Sequence, residues 1–161
     1  MEFEEKKPKK KLTPNQALIK AQNTCVYQER CQQEMRDKLY EWGLYTDAVE
    51  NIIAHLITDN FLNEERFAKA FAGGKFRIKK WGKVKIRIEL KKRHISEYCI
   101  KKGMLEIPDD DYLKTIRQLI EKKSRDIKGG KEYIRNYKIV QYLASRGFEQ
   151  DLIWSVIKAE E

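Results

Sequence analysis

Three short stretches of this chain share one pattern, and that pattern limits the fold more than any other feature. Leu39-Tyr40-Glu41-Trp42-Gly43-Leu44, Leu90-Lys91-Lys92-Arg93-His94-Ile95 and Leu143-Ala144-Ser145-Arg146-Gly147-Phe148 each hold an apolar residue, a second one five positions later, and then a helically spaced apolar run. Leu44, Ile95 and Phe148 are separated by 51 and 53 residues. A period of that size denotes one helical unit repeated along the chain. In two copies glycine occupies the position where a helix ends in the left-handed region. His94 stands there in the middle copy, which predicts a strained or differently closed turn.

Read in order, the chain predicts nine helices. Met1 to Leu12 is a basic tail (Lys6, Lys7, Lys9, Lys10, Lys11) with an acidic start, expected to be flexible. Thr13-Pro14 is a helix start, with Thr as N-cap and Pro in the first turn. Ala17, Leu18, Ala21 and Cys25 line that helix. Cys31, Met35, Leu39 and Trp42 line a second helix, predicted from about Gln28, and Val49, Ile52, Ile53, Leu56 and Ile57 a third. Asn63 is a candidate N-cap for the fourth, with Glu64 and Glu65 at the favourable end of its dipole. Gly73-Gly74 predicts a bend in it, because each glycine costs about 1 kcal/mol relative to alanine in a helix. Trp81-Gly82 forms the next turn. Asp109-Asp110-Asp111 opens the seventh helix, with Tyr112, Ile116, Leu119 and Ile120 as its stripe. Tyr133, Tyr137, Val140 and Leu143 line the eighth, and Ile153, Trp154, Val156 and Ile157 the ninth. The fold class predicted is all-α: three tandem three-helix units at 13–61, 62–107 and 108–161, forming an elongated helical repeat array.

Residues 83–90, KVKIRIEL, are locally ambiguous. They alternate basic and apolar, the period of a strand. No partner strand lies nearby, and the repeat assigns them to a helix.

The charge is concentrated. Residues 75–93 hold ten Lys and Arg against the single acid Glu89, which equals the whole chain's formal net charge of +9. A clustered excess of this kind points to a polyanionic partner, either nucleic acid or an acidic protein face. The candidate contact residues are Arg77, Lys79, Lys80, Lys83, Lys85, Arg87, Lys91 and Lys92. Trp81 is read as a packing aromatic, with stacking on a base or a guanidinium as the alternative.

Signatures of catalysis are missing from the sequence. Gly73-Gly74 and Gly129-Gly130 lack phosphate-loop spacing. His55 and His94 have no local partner for acid–base work. Cys25, Cys31 and Cys99 contain no CxxC pair; Cys25 and Cys99 are read as small buried hydrophobes. The triple aspartate is read as a helix start rather than a metal site. The chain is therefore expected to be non-enzymatic, without cofactor or metal. No stretch reaches transmembrane length and no secretory signal is evident, so a reducing cytoplasm is expected and no membrane partner.

Phe61-Leu62-Asn63-Glu64-Glu65-Arg66-Phe67-Ala68, followed by Arg77, Gly82, Ile86, Glu89-Leu90 and Ile95, resembles the signature of the RecX regulatory proteins. The first unit is similar to theirs as well, at Ala17-Leu18, Ala21, Arg30, Glu34-Met35, Leu39 and Gly43. The resemblance covers residues 14–157. It departs at Asn63, where the family usually has an acid, at His94 and at Gly73-Gly74. It implies a bacterial, cytoplasmic, all-helical protein that modulates the RecA recombinase in recombination and DNA repair, generally by inhibiting strand exchange and ATP hydrolysis. It also implies a position in the groove of the RecA–DNA filament, and direct binding to single- or double-stranded DNA. For this chain the expectation is a monomeric RecA-filament regulator acting through its basic face. An autonomous DNA-binding protein and a helical adaptor for another acidic protein remain open. Within the motif, Arg66 is expected to pair with Glu65 or with an acid of a partner.

Overall fold

The computed structural model describes residues 11–161; the basic run from Lys6 to Lys10 lies outside the described residues. Among the described residues there are nine helices and no strand: α1 Pro14–Tyr27, α2 Gln32–Glu41, α3 Thr46–Thr58, α4 Glu64–Lys79, α5 Lys83–Lys92, α6 Glu97–Met104, α7 Asp109–Asp126, α8 Glu132–Ser145 and α9 Gln150–Ala159. KVKIRIEL lies entirely in α5. The fold is an all-α helical repeat. The chain divides into two compact units, the first ending at Phe67 and the second running from Ala68 to Glu161. No helix among the described residues is long and apolar enough to cross a membrane.

In the first unit, α1 begins with a capping box. The Gln16 N–H donates to the Thr13 hydroxyl at 3.3 Å, and the Thr13 N–H donates back to the Gln16 side chain at 3.1 Å. Ala17 and Ala21 are fully buried, and their small side chains let α1 lie close on its neighbours. The second helix starts at Gln32, four residues later than the apolar spacing predicts. Gln28 is extended and ends α1, and Cys31 is the N-cap, its N–H donating to the Glu34 carboxylate at 3.3 Å. Met35, Leu39, Val49, Ile52, Ile53 and Leu56 form the core, while the predicted core residue Ile57 faces solvent. The buried cysteines are Cys25 and Cys31, and Cys99 is half-buried. Burial pushes the Cys25 thiol up to about 11 and the Cys31 thiol up to about 12. Both therefore remain protonated at neutral pH.

The repeated sequence pattern is a helix C-terminus made three times. Leu44 donates its N–H to the Leu39 carbonyl, Ile95 to Leu90 and Phe148 to Leu143, at 3.3, 3.1 and 3.2 Å. Gly43, His94 and Gly147 lie between them at φ of 87°, 59° and 95°. These are six-to-one bonds, and the two apolar residues five apart are the contact that accompanies them. All six are buried. The middle turn is closed like the other two, with His94 held in the left-handed region at a cost of about 1–2 kcal/mol.

In the second unit, α4 continues through Gly73 and Gly74 to Lys79. A Cβ on Gly73 would meet the Arg77 guanidinium, one turn on, whereas a Cβ on Gly74 would meet nothing within 4 Å. Gly74→Ala is therefore expected to stabilise the chain by about 0.5–1 kcal/mol, read as a higher urea midpoint at unchanged slope. Gly103 has a structural reason to be glycine: a Cβ there would sit 2.7 Å from the Ala68 carbonyl oxygen, so α6 crosses α4 with backbones nearly touching. The last three helices bury Tyr112, Ile116, Leu119 and Ile120 of α7, Ile139, Val140 and Leu143 of α8, and Ile153, Val156 and Ile157 of α9. Tyr133 and Tyr137 were expected in that core but are exposed. The inward face of α8 is its C-terminal half, whereas near its start the inward anchor is Arg135, which donates to the carbonyls of Ser124, Ile127 and Gly129. Trp154 is half-buried.

Candidate nucleic-acid interface

The basic segment occupies the last turns of α4, the Lys80-Trp81-Gly82 turn and all of α5. Ile86 and Leu90 are the buried positions of α5, so the helix turns Val84 and Ile88, one turn apart on another side, to solvent. Ile78, near the end of α4, is 78% exposed. The outward surface of this segment therefore alternates cations with uncovered apolar side chains.

Tertiary hydrogen bonds hold the segment in place. The first turn of a helix leaves its N–H groups without internal partners. At α5, the Gly82 N–H donates to the Arg146 carbonyl at 2.9 Å, the Val84 N–H to the Gly147 carbonyl at 3.0 Å and the Lys83 N–H to the Tyr112 hydroxyl at 3.0 Å. The carbonyls belong to the end of α8, so a positive helix start meets a negative helix end. Arg146 reaches back to the carbonyls of Lys79 and Lys80. The Tyr112 hydroxyl donates in turn to the Glu149 carboxylate at 2.5 Å. Burial, and then that carboxylate, push the phenol well above its ordinary value, so it stays a donor.

The eight predicted contact residues separate into two groups. Arg77, Lys79, Lys80, Lys91 and Lys92 are exposed, although Lys92 lies 3.3 Å from Glu89. Lys83, Lys85 and Arg87 are only partly exposed, and each is engaged within the unit. Lys83 sits over the Tyr112 ring and 3.5 Å from Asp109. Lys85 sits over the Trp81 ring, and Arg87 pairs with Glu97. Arg77 and Lys79, and likewise Lys91 and Lys92, stand in last helical turns, where the dipole favours cations. Arg93 pairs with Glu89 at 3.0 Å and, as the main influence on it, holds that carboxyl below its ordinary value.

An aromatic pair lies among these cations. Trp81 is half-buried, its ring edge-on to Phe71 with centroids 6.3 Å apart. The Lys85 and Lys75 ammonium groups stand 4.4 and 4.9 Å from the Trp81 centroid, and the Arg93 guanidinium 4.9 Å from that of Phe71. Sequence reading passed over Lys75 as a contact residue. Its i, i+4 relation to Phe71 on a helix is the signal that would have found it.

The motif Asn63-Glu64-Glu65-Arg66-Phe67 does different work. Asn63 caps α4 by accepting the Arg66 N–H at 2.9 Å. Glu64 accepts the Gln32 N–H at 2.8 Å and so caps α2; burial raises its carboxyl above the ordinary value. Arg66 pairs with Glu29 at 2.5 Å and also donates to the carbonyls of Asn60 and Phe61. Glu65 is half-buried and Phe67 buried. Arg66→Ala is expected to cost about 1–2 kcal/mol, since both partners are about one-third exposed and solvent screens the pair. Urea unfolding would show the loss, with nucleic-acid affinity unchanged. Among the described residues no group of His, Cys, Asp or Glu is arranged to hold a metal ion.

Two family models match this chain: that of the second three-helix domain of RecX over residues 63–104, and that of the third over residues 109–157. The chain belongs to the RecX family. Similar relatives include the regulatory protein RecX of Clostridium perfringens, 27% identical over 155 residues, covering 92% of this chain and 72% of the relative. The regulatory protein RecX of Prosthecochloris aestuarii is 28% identical over 137 residues, covering 85% and 88%. The fold is similar to that of RecX from Lactobacillus salivarius, with a TM-score of 0.80, 23% identity and coverage of 91% and 95%. Within the RecX match, the second-domain model begins at Asn63, the cap of α4, and the third begins at Asp109, the first residue of α7. The basic segment thus falls wholly inside the second RecX domain.

Proposed function

We propose that this chain is a non-enzymatic regulator of the RecA recombinase that binds the RecA–DNA filament in its groove and inhibits it. Membership of the RecX family supports RecA as the partner. The observation that carries the contact face is the exposed group Arg77, Lys79, Lys80, Lys91 and Lys92, alternating with uncovered Ile78, Val84 and Ile88. Cations with this spacing neutralise phosphates or acidic side chains, and the apolar residues between them add buried area once a partner covers them. Lys83 and Arg87, paired with Asp109 and Glu97, stiffen the face from within the unit. The protein acts as a monomer in the bacterial cytoplasm, where RecA and its DNA are found, and binding alone accounts for the effect.

Co-sedimentation with RecA filaments assembled on single-stranded DNA tests this reading. The chain should pellet with the filament at low salt and be released progressively as salt rises. Pelleting with DNA alone and not with the filament would favour an autonomous DNA-binding protein. Pelleting with neither, while binding an acidic protein, would favour the adaptor.

A further inference from the structure

We propose that Trp81 is a stacking platform for an unpaired nucleobase, with Lys75 and Lys85 poised to take the flanking phosphates, so that this site selects single-stranded nucleic acid. The proposal rests on the reading of the basic segment as a nucleic-acid contact and assigns that contact its chemistry.

Three observations carry it. First, Trp81 remains half-exposed in the turn between α4 and α5, while Phe76, Ile86 and Leu90 are buried nearby in the same segment. The indole therefore keeps part of its surface open to a ligand. Second, its edge-on contact with Phe71 orients the ring, so little side-chain freedom is lost when a base stacks on it. Third, two ammonium groups converge on that one ring, at 4.4 and 4.9 Å, and among the described residues neither has a carboxylate at ion-pair distance. The nearby acid, Glu89, is taken by Lys92 and Arg93. Two like charges held at one ring repel each other, and the ring's negative face offsets this only in part. A phosphodiester offsets it better. When a strand arrives, the long lysine side chains can swing from ring to phosphate and leave the indole to a base. In duplex DNA the bases are already stacked on one another, so only a single strand offers both a phosphate and a base face together. An acidic protein surface would satisfy the lysines and leave the indole unused.

The chain has three tryptophans, Trp42, Trp81 and Trp154. The full chain carrying Trp42→Phe and Trp154→Phe therefore reports from Trp81 alone. If that variant does not fold, fluorine NMR of the fluorotryptophan-labelled natural chain gives the same readout. The expected result is quenching by short oligo(dT), and none by an abasic strand of equal length or by a duplex. Trp81→Ala should weaken oligo(dT) binding about tenfold, and Trp81→Tyr should restore most of the affinity. Equal responses to the abasic strand, or unchanged oligo(dT) affinity in Trp81→Ala, would overturn the proposal and leave the lysines as plain phosphate contacts. The two readings fail separately. A chain that slows RecA but whose Trp81 ignores bases has no stacking site. A chain whose Trp81 is quenched by oligo(dT) but which leaves RecA untouched has the site without the regulatory role.

Discussion

Gly82→Ala is expected to destabilise the second unit by about 3–5 kcal/mol. A Cβ at residue 82 would lie 2.2 Å from the Gly147 carbonyl carbon and oxygen and 2.3 Å from the Phe148 nitrogen. These are backbone atoms, and they cannot swing aside as a side-chain tip can. Overpacking of this kind costs about 1–3 kcal/mol, occasionally more. Separating the two turns would also weaken the Gly82-to-Arg146 and Val84-to-Gly147 hydrogen bonds, at about 1 kcal/mol each. Against a total stability of roughly 5–15 kcal/mol this is a large fraction. For a unit of this size it corresponds to a fall of about 15 °C or more in Tm. Calorimetry of the variant beside Gly74→Ala makes a matched comparison. Both add one methyl to a glycine of the same unit, yet one should lower the transition strongly and the other raise it slightly. If Gly82→Ala melts like the natural chain, the contact between the α4–α5 turn and the α8–α9 turn is wrongly drawn.

Reversing Arg77, Lys79 and Lys91 to glutamate should abolish most nucleic-acid and filament binding. Each reversal removes two charges, taking the formal net charge from +9 to +3. All three side chains are exposed, and none is among the residues that fix α5 to its neighbours. The folding cost is limited to unfavourable helix-dipole terms for acids in last turns, about 0.3–1 kcal/mol each. If each cation meets one phosphate, the salt dependence of single-strand binding should flatten by about 0.7 per residue in logarithmic slope. Affinity near physiological salt should fall on the order of 100-fold. The same exchange at Lys83 or Arg87 would be less informative, because it would also break contacts with Asp109, Tyr112 or Glu97.

Much of the fold is visible in the sequence because the repeat is a local signal. Leu39 and Leu44, Leu90 and Ile95, and Leu143 and Phe148 are five residues apart, and one hydrogen bond explains the spacing. That signal also resolves KVKIRIEL, whose alternation alone favours a strand. Contacts between distant segments leave no such mark. Nothing near Gly82 announces that Gly147 will lie against it, or that Tyr112 will cap the helix that follows Gly82. For the same reason the sequence could place the basic cluster but not sort it: Arg87 and Arg77 read alike until Glu97 is seen beside one of them. Tyr133 and Tyr137 fall at helical spacing with Val140, but the inward side there is taken by Arg135, whose bonds are to carbonyls at the end of α7 and in the loop after it. The motif around Arg66 was legible as a pattern but not as a role, since its partner Glu29 is 37 residues away.

The ATP hydrolysis of RecA on single-stranded DNA shows directly whether this chain restrains RecA. Adding the full chain should slow hydrolysis in a dose-dependent way, and the Arg77→Glu, Lys79→Glu, Lys91→Glu variant should leave the rate close to that of RecA alone. A rate unchanged by the natural chain at several-fold excess over filament sites would mean that the chain does not restrain RecA.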